Sequence, residues 1–259
     1  MGEHGYRQPR PGLFQSQHGE DRWLNHHFRN KPGGFFVDVG AYDGVVISNT
    51  YFFEKHGWTG VLIEPHPDKA ALCRLNRPRS RVFQCAAVAS AEIKQIELLD
   101  VPDGEVYSTI APTEAHLERL RTYGLEARRI VVAARTLNSI LEEVNPPHID
   151  FVSIDVEGAE LQVLQGFDIV RWRPGAVIVE TMGPRSSAVR DYFTGNGYLY
   201  RTSININDVY VPAPSMLHQA SPPATVALDA VWYYTRKKLH TLRENVRLRT
   251  RLRQLGWWP

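Results

Sequence analysis

The chain has 259 residues, of which 43% are apolar and 22% charged, and its formal net charge is +2. This balance is typical of a globular α/β domain and excludes collagen-like, disulfide-rich and fully disordered chains. No apolar run approaches the ~18 residues that span a bilayer. The N-terminus has no signal-peptide core and there are only two cysteines, so we expect no transmembrane segment and a cytoplasmic protein.

Composition divides the chain into four parts. Residues 1–14 are polar and rich in Gly and Pro, which predicts a disordered N-terminus. Residues 15–211 alternate apolar and amphipathic segments and are expected to form the main domain. Residues 212–224 read as a Pro- and Ser-rich linker loop, and residues 225–259 predict a long, basic, amphipathic C-terminal helix.

The basic helix has three interpretations. It could pair with a second copy to form a homo-oligomer, attach to an anionic surface, or pack as a solvated arm along its own domain. The apolar stripe is too short to decide between them, and we favour the first or the last. No nucleic-acid motif accompanies its charge, so we expect no nucleic-acid partner.

The first predicted elements form a βαβ unit that follows an N-terminal helix capped by Ser16. An apolar strand ends in Asp38, a glycine-bearing turn follows, and a helix is predicted over residues 45–56. A second apolar strand, 61–63, ends in Glu64. In a parallel sheet, ligands bind at the carboxyl ends of the strands, where both acids are expected to lie.

The remaining elements continue the alternation of strands and helices. They are a helix at 67–76, a strand at 81–88, a hairpin or loop insertion at 90–112 that would cover the substrate side, a helix at 113–123, a strand at 128–134, a helix at 137–144, strands at 149–154 and 176–179, a helix at 187–194, and an antiparallel hairpin of 198–204 and 209–211. Alternation of this kind predicts a mostly parallel sheet with helices on both faces.

The turn after the first strand favours S-adenosylmethionine over a dinucleotide. Glu64 could accept both hydroxyls of a ribose, and Asp38 could accept from a ligand ammonium group. The turn reads Gly-Ala-Tyr-Asp-Gly and lacks the third glycine of the NAD fingerprint. A nicotinamide oxidoreductase is therefore a less favoured alternative. A further alternative is an ordinary βα turn without a ligand, in which the acid caps the helix.

Four segments together resemble the FkbM-type methyltransferases. They are SQHGED (16–21), DVGAYDGVVISNTYFFEKHGWTGVLIEP (38–65), TLNSIL (136–141) and IDFVSIDVEGAELQVLQGF (149–167). The resemblance implies a Rossmann-like class I methyltransferase sheet of seven strands, mostly parallel and with a terminal antiparallel hairpin. It also implies S-adenosylmethionine as the cofactor and S-adenosylhomocysteine as the product.

The resemblance assigns cofactor roles residue by residue. Asp38, Gly40 and Asp43 would form the methionine-side loop, Ser48 and Asn49 would line the cofactor carboxylate, Glu64 would take the ribose hydroxyls, Pro65 would shape the turn, and Gln17, with Asp21, would close over the site. The third strand ends in Cys-Ala-Ala at 85–87, without an acid or amide. The partner of the adenine amino group therefore stays open.

Catalytic candidates follow the fourth and fifth core strands. Asp155, Glu180 and Glu157 could act as bases that remove a hydroxyl proton, or could together bind a divalent cation, and we assign no metal. Asp155 could instead cap the next helix, and Glu157 could be a first-turn acid. For Glu160 the first-turn reading is preferred.

The resemblance implies an S-adenosylmethionine-dependent O-methyltransferase that acts on a small hydroxylated acceptor, a sugar or a secondary metabolite. A non-catalytic FkbM-like binding or scaffold module is the alternative.

Overall fold

The computed structural model describes residues 14–102, 107–181 and 186–214. The predictions for the N-terminal residues 1–13, for most of the linker and for the basic helix at 225–259 lie outside these residues. A compact unit ends at Ala213. Among the described residues, none of the helices has both the length and the apolar character needed to cross a membrane.

The strands form two sheets. In chain order they are β1 (Phe35–Val39), β2 (Thr59–Ile63), β3 (Ser80–Phe83), β4 (Ala86–Ala87), β5 (Gln95–Asp100), β6 (Arg128–Arg135), β7 (Phe151–Ile154), β8 (Ala176–Glu180), β9 (Tyr198–Ile204) and β10 (Asn207–Pro212). The larger sheet has seven strands in the order β3-β2-β1-β7-β8-β10-β9. The first five are parallel, and β10 runs antiparallel to both neighbours. The predicted sheet with its terminal hairpin is confirmed.

Eight helices connect the strands within the described ranges. They are α1 (Glu20–His27), α2 (Tyr51–Lys55), α3 (Pro67–Asn76), α4 (Glu114–Thr122), α5 (Leu137–Val144), α6 (Glu160–Gln165), α7 (Ile169–Trp172) and α8 (Ser186–Gly195). Phe36, Phe53, Trp58 and Phe151 are almost fully buried, and their rings contact one another on one face of the sheet. Burial of these large apolar rings stabilises the centre of the sheet, from which the site residues extend.

The predicted strand at 81–88 is wrong as a single element. β3 ends at Phe83, and β4 leaves the larger sheet to pair with β6 in a three-stranded sheet of order β4-β6-β5. The expected hairpin within 90–112 is also different. β5 pairs along its whole length with β6, whereas Thr109 makes only a bridge to Leu99.

The predicted helix at 45–56 begins six residues late, at Tyr51. Asp43 Oδ1 accepts the N–H groups of Val45 and Val46, and Ser48 Oγ accepts those of Thr50 and Tyr51. Side-chain acceptors of this kind compete with helical hydrogen bonds, so the chain turns instead.

The N-terminal helix likewise begins later than predicted. Gly19, and not Ser16, is its N-cap. Ser16 Oγ still accepts the N–H groups of Gly19 and Asp21, so it stabilises the turn before the helix.

Candidate active site

Gly40 brings the ends of β1 and β7 together. Its φ is +86°, and a Cβ there would lie 1.7 Å from the carbonyl oxygen of Asp155. Only glycine allows this approach, because any side chain would overlap the neighbouring backbone. The carboxyl ends of the two strands are therefore in direct contact at the point where a ligand would bind.

Asp38 is a buried carboxylate on β1 whose hydrogen bonding is fixed by a network. Thr50 Oγ1 donates to Asp38 Oδ2 at 2.5 Å. Two guanidinium nitrogens of Arg77 donate to the same Thr50 oxygen, each at 3.1 Å. Because those bonds occupy the hydroxyl lone pairs, the single Thr50 proton is directed to Asp38. Burial raises the pKa of Asp38, while Thr50 and Arg77 act in the opposite direction.

Arg77 is a residue that the sequence analysis missed. It is fully buried, pairs with Glu54 at 3.0 Å and donates to the carbonyl oxygen of Gly44. Its position just after α3 gave no signal of burial, because the residues that surround it come from a segment more than twenty positions earlier. Arg77 thus fixes both the turn after β1 and the orientation of Thr50.

Glu64 follows β2 and binds two backbone groups. Its Oε2 accepts the N–H of Tyr42 at 2.9 Å, and its Oε1 accepts that of His66 at 2.8 Å. Burial raises the pKa of Glu64 to about 7, although both backbone bonds and Lys69 favour the charged form. Each oxygen keeps a lone pair, so the carboxylate can still accept two hydroxyl groups.

A cavity of about 390 Å³ opens at these strand ends. Six of the predicted cofactor residues line it: Asp38, Gly40, Ser48, Asn49, Glu64 and Pro65. Asn49 is positioned by the hydrogen bond from its Nδ2 to Ser153 Oγ on β7, at 3.0 Å. The carboxylate of Asp38 fits the ammonium group of S-adenosylmethionine, and that of Glu64 fits its ribose hydroxyls. The amide of Asn49 fits its carboxylate.

Two predicted cofactor residues do not line the cavity. Asp43 is turned into its own loop, where its carboxylate accepts backbone N–H groups and its carbonyl oxygen accepts from Asn76. Gln17 is exposed. Asp21 anchors the N-terminal segment through Ser16, and that segment bridges to Ile47 beside the cavity.

Three carboxylates converge where β7 and β8 end. One oxygen each of Asp155, Glu157 and Glu180 lies within 4.8 Å of the others. Asp155 and Glu157 line the cavity, whereas Glu180 lies behind them and is buried. One divalent cation could bridge oxygens at this separation, and so could a shared proton.

Burial and mutual repulsion raise the pKa of each acid in this cluster. Burial is the largest cause for Asp155 and Glu180, which share a hydrogen bond. That bond lowers the pKa of Asp155 and raises that of Glu180, so Glu180 holds a proton more strongly than Asp155 does. The pKa of Glu157 is raised to about 8.

The segment that contains Asp155 and Glu157 is a loop and not the start of a helix. Glu157 has a φ of +53° and Gly158 a φ of +101°, and α6 begins only at Glu160. Glu160 Oε1 accepts the N–H of Gly158 at 2.8 Å, so this acid shapes the loop from the first turn of the helix, as preferred. Asp155 is therefore not the N-cap of α6, which is Ala159, and Glu157 lies before its first turn.

The order of the seven strands, the contact of β1 with β7, and two buried carboxylates at the ends of β1 and β2 define a Rossmann-like, S-adenosylmethionine-dependent methyltransferase. The FkbM methyltransferase domain model matches residues 38–200. The chain belongs to this family.

Two curated relatives are similar over 58% of this chain. The 31-O-demethyl-FK506 methyltransferase FkbM of Streptomyces tacrolimicus is 28% identical over 173 residues, and the methyltransferase sdnD of Sordaria araneosa is 29% identical over 177. The matched regions span 65% and 67% of those proteins.

Similar solved structures share little sequence with this chain. A TehB-like methyltransferase from Corynebacterium glutamicum is 11% identical with a TM-score of 0.40, over 76% of this chain and 89% of its own. An O-methyltransferase from Bacillus cereus in complex with SAH is 12% identical with a TM-score of 0.39, over 74% and 78%.

Proposed function

We propose that this methyltransferase transfers its methyl group to a hydroxyl oxygen of a small acceptor, a sugar or a secondary metabolite. The observation that carries the proposal is the convergence of Asp155, Glu157 and Glu180, which each have one oxygen within 4.8 Å of the others, with Asp155 in the cavity lining. A hydroxyl is a weak acid and must lose its proton as the new carbon–oxygen bond forms, so O-methylation benefits from a nearby base.

Each acid has a distinct task in this proposal. Bound S-adenosylmethionine supplies a methyl group on a sulfonium and leaves as S-adenosylhomocysteine. Asp155 lines the cavity and is the ionised partner, so it accepts the hydroxyl proton. Glu180 donates a hydrogen bond to Asp155 from behind and orients it. Glu157 stands beside both acids, where it can take a hydrogen bond from a second acceptor hydroxyl.

The names of the curated relatives support the proposal without fixing the acceptor. One relative is named a 31-O-demethyl-FK506 methyltransferase, a name that describes methylation at an oxygen. A non-catalytic binding module is the alternative, and it would bind S-adenosylhomocysteine without methylating any acceptor.

Asp155→Asn tests the proposal. We expect turnover to fall by about 10²- to 10⁴-fold, since the amide cannot accept the proton, while affinity for S-adenosylhomocysteine stays within about threefold. Labelled methyl transfer to a panel of hydroxylated sugars and secondary metabolites finds the acceptor, and calorimetry measures the affinity. Glu143→Gln, at an exposed glutamate outside the cavity, is the control.

Near-wild-type turnover of Asp155→Asn would remove the base role. A chelator separates the two uses of the cluster. If turnover survives EDTA, proton transfer remains the role of the acids. If EDTA abolishes turnover and Mg²⁺ restores it, the acids bind a cation.

A further inference from the structure

A buried carboxylate on the inserted sheet faces the cavity and has no role in the function derived so far. Asp100, the last residue of β5, is 3% exposed and lines the cavity. Its Oδ2 accepts from Arg128 Nε at 2.7 Å, and its Oδ1 lies 3.5 Å from His66 Nε2. His66 is two residues beyond Glu64, so Asp100 lies on the β2 side of the cavity.

His66 is oriented by the helix that follows it. As the N-cap of α3, its Nδ1 accepts the N–H of Asp68 at 3.2 Å. In the neutral ring the proton is therefore on Nε2, which points to Asp100. Arg128 approaches the other oxygen, so the carboxylate is fixed from two sides and still has lone pairs for another donor.

Apolar residues also line the cavity. Cys85, Ala86 and Leu98 are among them. Surfaces of this kind suit the faces of a purine ring, while the edge of adenine carries an amino group that needs an acceptor. The end of β3 brings none into the cavity, because Gln84 is exposed and does not line it, and the next residues, Cys85, Ala86 and Ala87, carry no side-chain oxygen or nitrogen.

We propose that Asp100 accepts a hydrogen bond from the exocyclic amino group of the cofactor's adenine and selects adenine over a 6-oxopurine. The inserted strand β5 thus places an acceptor in the cavity, where the end of β3 places none. A 6-oxopurine presents an oxygen at that position, and two acceptors facing each other repel.

The test compares binding of S-adenosylhomocysteine and S-inosylhomocysteine, which differ in the amino and oxo groups, by calorimetry at neutral pH. Loss of one hydrogen bond to a charged acceptor costs about tenfold to a hundredfold in affinity. We expect the wild-type protein to prefer S-adenosylhomocysteine by at least about tenfold. Equal affinity of the wild-type protein for the two ligands would overturn the proposal without any variant.

Asp100→Asn should abolish or reverse that preference. The amide oxygen is expected to stay with Arg128, which turns the NH₂ group towards the purine, where it opposes the amino group and pairs with the oxo group. Glu97→Gln is the matched control, because Glu97 lies on the same strand and pairs with Arg129 at the surface. It should keep the wild-type preference. A wild-type preference in Asp100→Asn would leave Asp100 as an ion-pair partner of Arg128 and overturn the proposal.

Discussion

Asp38 and Glu64 are buried carboxylates at the ends of adjacent strands, and their surroundings differ. Asp38 receives a side-chain hydroxyl proton that Arg77 directs towards it. Glu64 receives backbone N–H groups alone, so burial leaves its pKa raised to about 7. Glu64 therefore changes its charge near neutral pH, while it still has to accept ligand hydroxyls.

We predict that affinity for S-adenosylhomocysteine rises between pH 6 and pH 8. Below a pKa of about 7, Glu64 is protonated and has lost acceptor capacity for the ribose, so affinity is lower there. Glu64→Gln should bind about tenfold or more weakly and should lose this pH dependence, as measured by calorimetry across the range. Glu97→Gln should follow the wild-type curve. If Glu64→Gln keeps the wild-type dependence of affinity on pH, a group other than Glu64 causes that dependence.

Residue type and position along the chain predicted the places of Asp38, Gly40 and Glu64, and the family resemblance implied those of Ser48, Asn49 and Pro65. Asp38 and Glu64 are acids at strand ends, and strand ends are recognisable from apolar runs. Arg77 and Asp100 were not predictable, because their roles depend on partners far away in sequence. Asp43 was predicted to bind the cofactor, but its carboxylate accepts N–H groups of its own loop and does not line the cavity. Cofactor binding by each lining residue stays a prediction.

At the scale of elements, the loop after β7 depends on the inserted sheet. Thr109, bridged to β5, donates from its Oγ1 to the carbonyl oxygen of Glu157 at 2.9 Å. Glu157 has a positive φ, which is strained for a residue with a side chain. The insertion thus stabilises the backbone conformation that carries the two cavity-facing acids.

Thr109→Val should loosen this loop. The substitution keeps the shape of the side chain but leaves the Glu157 carbonyl without its donor, which costs about 1–3 kcal/mol in the free energy of unfolding. We expect a lower melting temperature and faster hydrogen–deuterium exchange at residues 156–160. Thr109→Ser keeps the hydroxyl and should behave much more like the wild type. Equal exchange in both variants would show that the loop does not need the insertion.

Element boundaries were least predictable where polar side chains bind their own backbone. The segment before α2 has an apolar pattern typical of a helix, yet Asp43 and Ser48 take its N–H groups. The predicted end of β3 was wrong for a different reason. Apart from Gln84, the segment from Phe83 to Val88 is apolar and resembles one strand. Its second half pairs with β6 in another sheet, and no local pattern encodes this long-range pairing.

Across the whole described domain, parallel topology concentrates negative charge at one edge of the larger sheet. Asp38, Asp155 and Glu180 extend from β1, β7 and β8, which are neighbours in the sheet. Glu20 on α1 also contributes to the field that raises the pKa of Asp155. Folding therefore brings together acids that would be separate and ionised in the unfolded chain, and this arrangement costs stability.

The stability cost of these acids changes with pH, which gives a prediction for the whole described domain. Burial raises the pKa values of Asp155, Glu157 and Glu180 above their unfolded values, so the folded state binds more protons. Stability should then fall as pH rises from about 5 to about 9, by at most about 1.4 kcal/mol per pH unit for each acid. Glu180→Gln should lessen the fall, as measured by thermal unfolding at several pH values.

Glu143→Gln is the matched control for that experiment. Arg135 lowers the pKa of Glu143, so the stabilising contribution of this acid is complete above its unfolded pKa and is lost only as pH falls. Its removal should shift the stability curve between pH 5 and pH 9 without changing the slope. If Glu180→Gln also leaves the slope unchanged, Glu180 is ionised in the folded protein, and the shared proton that orients Asp155 in the proposed reaction is absent.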